Sequence, residues 1–266
     1  GDANMGRETY LMPMQWEPTI VKWEQVSEDK WEPLRYLFPV VAPFTGKVER
    51  FTPLPFTDKP QYINNTIIDD FQDEKLDLRW TFIRVPEDKT YSLSKNPGFL
   101  RLYSKPGIIQ NRERFSLVGF RQKESDFEFE VKMNFSSEED KVESGIIHYQ
   151  KEWNYLTNTV TKVKKKYYLE QKLKEKSKEV VTLKKTILKG YDGNIILKVK
   201  SKKDKYDFYY SLNNGSSFIY FTSMDAIKIL DRNYTGALLG LFTTSNGGSS
   251  QDYADYDWVR YKDFIR

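Results

Sequence analysis

The stretch YTGALLGLFTT (Tyr234–Thr244) decides the fold class of this 266-residue chain. Large apolar side chains occupy both alternating sets of positions between Leu238 and Phe242. A strand with apolar residues at both parities is one that is covered on both faces. We therefore predict that this segment is a strand in the middle of the core.

The segment that follows it continues the β pattern. A glycine- and serine-rich run (Asn246–Ser250) leads into YADYDWVRY (Tyr253–Tyr261), where aromatic and acidic side chains alternate from Asp255 to Trp258. Such alternation is typical of a half-buried strand. We predict that the two segments pair as the closing hairpin of an all-β domain.

Short strand-like segments recur from residue 66 onward, with turn signals between them. They are 67–71, 91–93, 99–103, 116–121, 126–135, 144–150, 166–172, 180–187, 194–200, 206–212 and 217–222. In the clearest of them, Asp126–Phe135, large apolar residues alternate with polar ones, as on a strand with one face in water. Together the segments predict a two-sheet antiparallel sandwich.

Three turns with glycine separate apolar runs: Asn96-Pro97-Gly98, Asp192-Gly193-Asn194 and Asn213-Asn214-Gly215. Asn-Gly and Asp-Gly accept the positive φ that tight hairpins require. We predict a hairpin at each of the three turns.

The composition excludes several kinds of site. The chain has no cysteine, which removes disulfides, thiol nucleophiles and thiolate metal ligands, and it has one histidine, His148, which excludes a multi-histidine metal site. His148 lies in the apolar run Gly145–Tyr149, so we predict a packed, hydrogen-bonded strand histidine rather than a catalytic one. No apolar run approaches the roughly 18 residues of a membrane span, and no membrane partner is expected.

Positive charge is concentrated in the middle of the chain. Residues 151–205 contain 17 lysines against 6 Asp and Glu, although the net charge of the whole chain is only +4. A basic region of this kind is compatible with nucleic-acid binding. The lysines alternate with apolar residues, however, which indicates the wet faces and protected edges of strands, and we expect no nucleic-acid partner.

The N-terminal part has a different character. Residues 1–41 contain short apolar pieces broken by prolines, with Trp16, Trp23 and Trp31 spaced along them. Four prolines follow between Ala42 and Pro60, a composition typical of an extended linker. The sequence therefore predicts a domain boundary near residues 45–62.

Several motifs, in the same order along the chain, resemble the C-terminal module of glycoside hydrolase family 43, which contains β-xylosidases and α-L-arabinofuranosidases. They are Asp69-Asp70-Phe71, Leu78, Trp80, Pro97–Leu102, Leu117–Gln122 with Phe127, Ser144–Ile147 with Tyr149, Tyr206–Ser211 and the two closing segments. The resemblance implies a concanavalin A-like two-sheet antiparallel β-sandwich, or jelly roll, over residues 63–266.

A second resemblance concerns the N-terminal end. Met5–Leu11, which contains Gly-Arg-Glu-Thr, is similar together with Trp16 to the last blade of the five-bladed catalytic propeller of the same family. The resemblance implies that residues 1–45 are a remnant of the last blade and that residues 46–62 are a linker.

The family resemblance implies an accessory role in xylan degradation. Glycoside hydrolysis needs two carboxyl groups on either side of the bond, and those of the family lie in earlier propeller blades. We therefore assign no catalytic residue, cofactor or metal ligand, and we expect the chain to be inactive alone. The expected partners are a propeller catalytic domain and xylo-oligosaccharide or arabinoxylan.

Two substrate-binding residues follow from the resemblance. Arg7 corresponds to the family's arginine that reaches the sugar in the innermost subsite, where a fixed cation with five donors binds hydroxyl groups. Tyr234 stands where the family has a phenylalanine, on a sandwich loop that narrows the mouth of the active site. The aromatic ring is retained, and it can cover the apolar face of a sugar.

Other interpretations remain open at this stage. The sandwich can instead be a carbohydrate-binding module whose aromatic side chains stack on xylan or arabinoxylan. Adjacent acidic pairs such as Glu138-Glu139 are typical of solvated or turn-capping residues, whereas Asp69, Asp70, Asp255 and Asp257 would suit calcium if the first and last strands pair. The sequence does not distinguish xylose from arabinose and leaves the compartment open, with an extracellular location favoured.

Overall fold

The structure is a computed structural model, and it describes residues 12–47, 66–202, 204–229 and 236–264. The chain divides into two compact units, one within residues 8–62 and the other containing residues 63–266. The described residues form seventeen strands and two short 3-10 helices. None of these helices has the length and hydropathy of a membrane span.

The smaller unit is a single antiparallel hairpin. Its strands are β1 (Met14–Ser27) and β2 (Lys30–Val41), which pair along their whole length. Large apolar side chains are exposed along both strands: Met14, Trp16, Ile20, Val21, Trp23, Val26, Trp31, Tyr36, Leu37, Phe38 and Val41. A two-stranded hairpin is at best marginally stable in water by itself. The described part of this unit therefore has apolar side chains on its surface and no second layer to cover them.

The larger unit contains the other fifteen strands. They are β3 (Thr66–Asp69), β4 (Thr81–Phe82), β5 (Tyr91–Ser92), β6 (Leu100–Tyr103), β7 (Ser116–Arg121), β8 (Phe127–Phe135), β9 (Glu143–Lys151), β10 (Asn154–Val163), β11 (Lys166–Glu175), β12 (Val181–Ile187), β13 (Asn194–Lys202), β14 (Lys205–Ser211), β15 (Ile219–Asp225), β16 (Leu238–Thr244) and β17 (Tyr253–Asp263). The 3-10 helices are Ile109–Asn111 and Ala226–Ile229.

These strands form two antiparallel sheets. The seven-stranded sheet has the order β12-β11-β10-β9-β16-β7-β4, and the eight-stranded sheet has the order β15-β14-β13-β8-β17-β6-β5, with β3 also paired to β17. One large apolar cluster draws side chains from both sheets and so lies between them. The prediction of an all-β antiparallel sandwich is confirmed.

Strand β16 is buried along its whole length, as its sequence predicts. Leu239 and Leu241 belong to the cluster between the sheets. Leu238 and Phe242 belong to a second cluster on the outer face of the seven-stranded sheet, where the segment containing Ile109 covers them. The prediction that this strand is covered on both faces is confirmed.

The predicted closing hairpin is wrong. Strand β16 pairs with β7 and β9, whereas β17 pairs with β3, β6 and β8 in the other sheet. The connection between them crosses from sheet to sheet and is held by main-chain bonds, from Ser245 N to Lys105 O at 3.0 Å and from Ser104 N to Asp252 O at 2.7 Å. A glycine-rich loop permits a reversal in either direction, so its composition does not determine which strands pair.

Of the three hairpins predicted at the glycine turns, two are present and one is not. Asn213–Gly215 connects β14 to β15 and Asn96–Gly98 connects β5 to β6, and both strand pairs are hairpins. Asp192–Asn194 connects β12 to β13, which lie in different sheets, so the hairpin predicted there is wrong. Gly193 does adopt the positive φ that this turn was expected to need, at 104°.

A tyrosine from the eight-stranded sheet connects the two layers inside the core. The Tyr256 hydroxyl lies 2.9 Å from the Ser144 hydroxyl, 3.0 Å from the carbonyl oxygen of Gly145 and 3.1 Å from that of Phe242. Burial raises the pKa of Tyr256 to about 12. The phenol therefore stays protonated and bonded to the seven-stranded sheet.

Candidate functional site

The two substrate-binding residues predicted from the sequence, Arg7 and Tyr234, lie outside the described residues. The chain on either side of Tyr234 is fixed to the sandwich. Ile229 is fully buried at the end of the second 3-10 helix, which packs on β9, β10 and β11. On the other side, Arg121 Nη1 donates to the Gly236 carbonyl at 2.6 Å. The nearest described residues on either side of Tyr234 are therefore Ile229, which packs on the seven-stranded sheet, and Gly236, which is bonded to the last residue of β7.

The adjacent acidic residues do not form a pair of catalytic carboxyl groups. The Glu138 side chain is almost fully exposed and has one lysine at 3.8 Å. Asp69 accepts hydrogen bonds from the Phe71 main-chain nitrogen at 3.0 Å and from Trp80 Nε1 at 2.7 Å. These are the solvated and turn-capping roles that their spacing predicts.

Three of the four carboxylates considered for calcium, those of Asp69, Asp255 and Asp257, are engaged in other contacts. Arg101 donates to both oxygens of Asp255, at 2.7 and 2.8 Å, and the hydrogen-bonded carboxylate raises the pKa of Arg101. Asp257 forms its ion pair with Lys132 at 2.8 Å. Across the described part of the chain, no three His, Asp or Glu side chains are close enough to hold a metal ion. The first and last strands of the sandwich, β3 and β17, do pair, but no three of these carboxylates form a cluster among the described residues.

His148 is packed inside the core. Its ring lies between aromatic residues of the opposite sheet, with centroids 5.0 Å from Tyr206 and 5.9 Å from Phe208. Desolvation lowers its pKa to about 3, so the imidazole is neutral at ordinary pH. Its Nε2 has no hydrogen-bond partner within the described chain. The packing matches the prediction, whereas the expected hydrogen bond is absent at this nitrogen.

Many lysines of the basic middle segment are neutralised locally. Lys198 lies 3.0 Å from Glu130 and 3.2 Å from Glu128 on the outer face of the eight-stranded sheet, and Lys200 lies 3.0 Å from Glu128. Lys184 and Lys185 lie on β12, the edge strand of the other sheet. Both placements follow the strand-face interpretation of the sequence, since lysines on an edge strand oppose further strand pairing.

One lysine departs from this pattern. Lys172 is mostly buried on the outer face of the seven-stranded sheet, 2.9 Å from Glu143 and 3.7 Å from Glu170. Desolvation lowers its pKa, but the two carboxylates outweigh this and raise it overall. Glu143 also accepts hydrogen bonds from Thr159 at 2.9 Å and from Asn246 at 3.0 Å. Because ammonium, hydroxyl and amide donors already occupy it, this carboxylate is part of an ion network rather than a free acid or base.

Comparison with known proteins identifies the family of the sandwich. Residues 68–262 match the family model of the β-xylosidase C-terminal concanavalin A-like domain. The chain belongs to this family. The family's motifs in this chain coincide with described strands: the Leu117–Gln122 motif overlaps β7 from Leu117 to Arg121, and Tyr206–Ser211 lies within β14.

Curated relatives extend the similarity to nearly the whole chain. A xylosidase/arabinosidase from Butyrivibrio fibrisolvens is 29% identical over 97% of this chain, and a non-reducing end α-L-arabinofuranosidase from Bacteroides ovatus is 25% identical over 97%. A crystal structure of a family 43 protein from Bacillus licheniformis matches 97% of the chain with a TM-score of 0.74 and 27% identity. This chain covers only 47%, 45% and 47% of these proteins, respectively, so it spans about half of their length.

The network around Glu143 and Lys172 was not found from the sequence. Its residues come from three strands and a loop, and one of those strands, β10, was not among the predicted segments. The signal was the run of threonines at alternate positions, Thr157, Thr159 and Thr161, which share one face of β10. Such a run indicates a strand. The register between β10 and β11 is needed to show that its threonines lie beside Lys172.

Proposed function

We propose that this chain is the C-terminal accessory region of a family 43 glycoside hydrolase of the β-xylosidase or α-L-arabinofuranosidase type. Its β-sandwich, residues 63–266, packs on a five-bladed propeller and shapes the mouth of the active site. Residues 1–45 belong to the last propeller blade, and residues 46–62 link it to the sandwich. The substrates are xylo-oligosaccharide or arabinoxylan.

The observation that carries this proposal is the exposed hairpin of β1 and β2. Trp16, Trp23 and Trp31 are each more than half exposed, with relative exposures of 56%, 57% and 56%. Apolar surface on this scale marks a site of protein interaction. Neighbouring strands of a propeller blade, together with the adjacent blades, would cover such a hairpin on its edges and faces.

The relatives support the same conclusion. Each matches nearly all of this chain with only about half of its own length. Those relatives are an α-L-arabinofuranosidase and a xylosidase/arabinosidase. The remaining half of such an enzyme has room for a propeller with its catalytic carboxyl groups. Fold similarity alone does not transfer an activity, so the activity of the assembled enzyme is the point to test.

The roles proposed for Arg7 and Tyr234 follow from the family motif. Arg7 would bind hydroxyl groups of the innermost sugar, since a guanidinium offers five donors in a fixed plane. Tyr234 would narrow the entrance and cover the apolar face of a sugar ring. The described residues nearest to it on either side, Ile229 and Gly236, both belong to the sandwich, which is where the family motif has its loop.

The chain alone is expected to be inactive, because hydrolysis needs an acid and a base on either side of the glycosidic bond. The purified chain should therefore not release nitrophenol from 4-nitrophenyl β-xyloside or 4-nitrophenyl α-L-arabinofuranoside. Robust turnover that disappears when an acidic residue of this chain is replaced would overturn the proposal.

A chimeric enzyme tests the positive part of the proposal. The N-terminal half of the Bacillus licheniformis relative, joined to this chain, should hydrolyse one of the two substrates. In that enzyme Arg7→Ala should lower kcat/KM by at least tenfold, whereas Arg35→Ala, which removes an exposed arginine of β2, should change it little. Equal effects of the two substitutions would exclude the role proposed for Arg7.

A further inference from the structure

Two asparagines in the chain are followed directly by glycine, in Asn214-Gly215 and Asn246-Gly247. In this dipeptide the main-chain nitrogen of the glycine can attack the side-chain carboxamide of the asparagine, because glycine has no Cβ to obstruct the approach. Both asparagines lie in exposed turns, and both adopt a positive φ, 54° for Asn214 and 47° for Asn246. Any difference in reactivity between the two sites therefore comes from their contacts.

The carboxamide of Asn246 is held at its nitrogen. Its Nδ2 donates to the Lys141 carbonyl oxygen at 2.9 Å and to Glu143 Oε1 at 3.0 Å. The attacking group is occupied as well, because the Gly247 main-chain nitrogen donates to the Pro106 carbonyl oxygen at 2.9 Å. Attack would break all three contacts, so the fold protects Asn246.

The carboxamide of Asn214 has no such restraint. The side chain is exposed and has no hydrogen-bond partner among the described residues. It lines an open cavity of about 320 Å³, so the carboxamide has room to rotate towards the main chain and water has access to it. The neighbouring Asn213 differs, since its carboxamide is bonded to Ser211 and Ser217. Within this turn, Asn214 is the asparagine whose carboxamide is free to react.

One contact opposes the reaction at Asn214. The Gly215 main-chain nitrogen donates to the Ser211 hydroxyl at 3.0 Å. A single neutral hydrogen bond is worth a factor of roughly two to ten in an equilibrium, so it slows the attack without preventing it. The turn also leads into β15, which pairs only with β14 among the described strands. Segments with few buried partners open locally more readily than the core, and each opening releases the Gly215 nitrogen.

We propose that Asn214 is a site of spontaneous covalent modification by deamidation, and that Asn246 is not. The Gly215 nitrogen loses its proton and forms a bond to Cγ of Asn214, the bond from Cγ to Nδ2 breaks, and the amide nitrogen leaves as ammonia. Water then opens the resulting five-membered succinimide ring at one of its two carbonyl carbons, which gives aspartate or isoaspartate. The reaction needs water alone and is independent of the proposed accessory function.

The modification changes the charge and the length of the turn. Either product replaces a neutral carboxamide with a carboxylate, which lowers the net charge from +4 to +3. Isoaspartate also adds one methylene carbon to the main chain between β14 and β15. The last pair of this ladder before the turn is Tyr210 with Ile219. Isoaspartate therefore loosens the edge of the eight-stranded sheet, whereas aspartate leaves the strand pairing unchanged.

Peptide mapping of the folded full chain tests the proposal. After several weeks at about pH 8, the tryptic peptide 206–228, which contains Asn214, should gain about 1 Da, and the peptide 233–260, which contains Asn246, should not. The first peptide should also become a substrate for a protein isoaspartyl methyltransferase. Asn214→Gln should remove both signals, because its longer side chain forms a cyclic imide far more slowly.

Two further measurements separate the effect of the contacts from that of the sequence. Ser211→Ala removes the acceptor of the Gly215 N–H and should accelerate deamidation at Asn214 roughly two- to tenfold. In guanidinium chloride the contacts of Asn246 are lost, so both peptides should then react at similar rates. Equal rates at the two sites in the folded chain would overturn the proposal, as would an unchanged peptide 206–228 over the same period. A rate that Ser211→Ala leaves unchanged would refute the role of the Ser211 contact.

Discussion

The hydroxyl group of Tyr256 lies 2.9 Å from that of Ser144, and the two residues belong to opposite sheets of the sandwich. Both side chains are completely buried. Apolar packing between two sheets has little directionality, whereas a hydrogen bond fixes distance and angle. This contact therefore sets the position of β17 relative to β9.

Removal of the Tyr256 hydroxyl tests this contact. Tyr256→Phe should lower the free energy of unfolding by about 1–2 kcal/mol, because Ser144 and two main-chain carbonyls lose a buried partner. The measurement is urea denaturation followed by circular dichroism. Tyr220→Phe is the control, since Tyr220 is 55% exposed on the edge strand β15 and should change stability by less than about 0.5 kcal/mol. Equal effects would contradict the structural role of Tyr256.

The pH dependence of stability should contain a contribution from His148. Its pKa falls from about 6.5 in the unfolded chain to about 3 in the fold because burial disfavours the charged form. As the pH decreases from 6.5 towards 3, the unfolded chain binds a proton that the folded chain does not, so stability is lost. Between pH 7 and pH 4 the loss from this residue should be about 3 kcal/mol.

The measurement for His148 is direct because the chain has a single histidine. Its imidazole NMR signals should not titrate near pH 6.5 while the protein is folded. In His148→Met the difference in unfolding free energy between pH 7 and pH 4 should be smaller by about 3 kcal/mol. An imidazole that titrates normally in the folded protein would show that the ring is hydrated.

Two aspartates on β17 should differ strongly in their contribution to stability. The side chain of Asp255 is only 9% exposed and receives two hydrogen bonds from Arg101. Asp255→Asn should lower the free energy of unfolding by about 2–3 kcal/mol, because it leaves a partly buried guanidinium without its counter-charge. Asp257→Asn, which removes a more exposed pair with Lys132, should cost at most about 1 kcal/mol. A reversed order in chemical denaturation would contradict this assignment of burial.

The exposed hairpin predicts the behaviour of tryptophan fluorescence. In the isolated chain Trp16, Trp23 and Trp31 should be readily quenched by acrylamide, since each is more than half exposed. Replacing these three with phenylalanine should remove most of the readily quenched emission, whereas Trp80→Phe should leave it in place, because Trp80 packs against Phe71 and Phe120. In the chimera with a propeller half, the three residues should become protected. Persistent quenching in an active chimera would argue against a covered hairpin.

Much of the sandwich could be predicted from the sequence where the hydrophobic pattern was strong. The alternating apolar residues from Phe127 to Phe135 are all fully buried, and β16 is covered on both faces. Strand β10 was missed because its buried outer face contains threonines rather than aliphatic residues. The pairing of β16 and β17 was wrong because strand partners depend on contacts between residues far apart in the chain, which a local pattern does not contain.

The site was less predictable than the fold. Arg7 and Tyr234 were identified through family motifs alone, and their proposed roles stay predictions. The network around Glu143 and Lys172 needed the register that places Thr157 opposite Lys172 and the loop that brings Asn246 to Glu143. No spacing in the sequence encodes these contacts, since Glu143 and Asn246 are 103 positions apart.

The positions of β16 and β17 have a consequence for biosynthesis. Each fills the centre of its sheet, β16 between β9 and β7 and β17 between β8 and β6, yet both come after residue 237. A nascent chain that has emerged only to that point has two half-sheets with unpaired inner edges, which favour intermolecular association. The sandwich can therefore close only after the ribosome has released its last strands, and premature termination there should yield aggregates rather than a smaller folded domain.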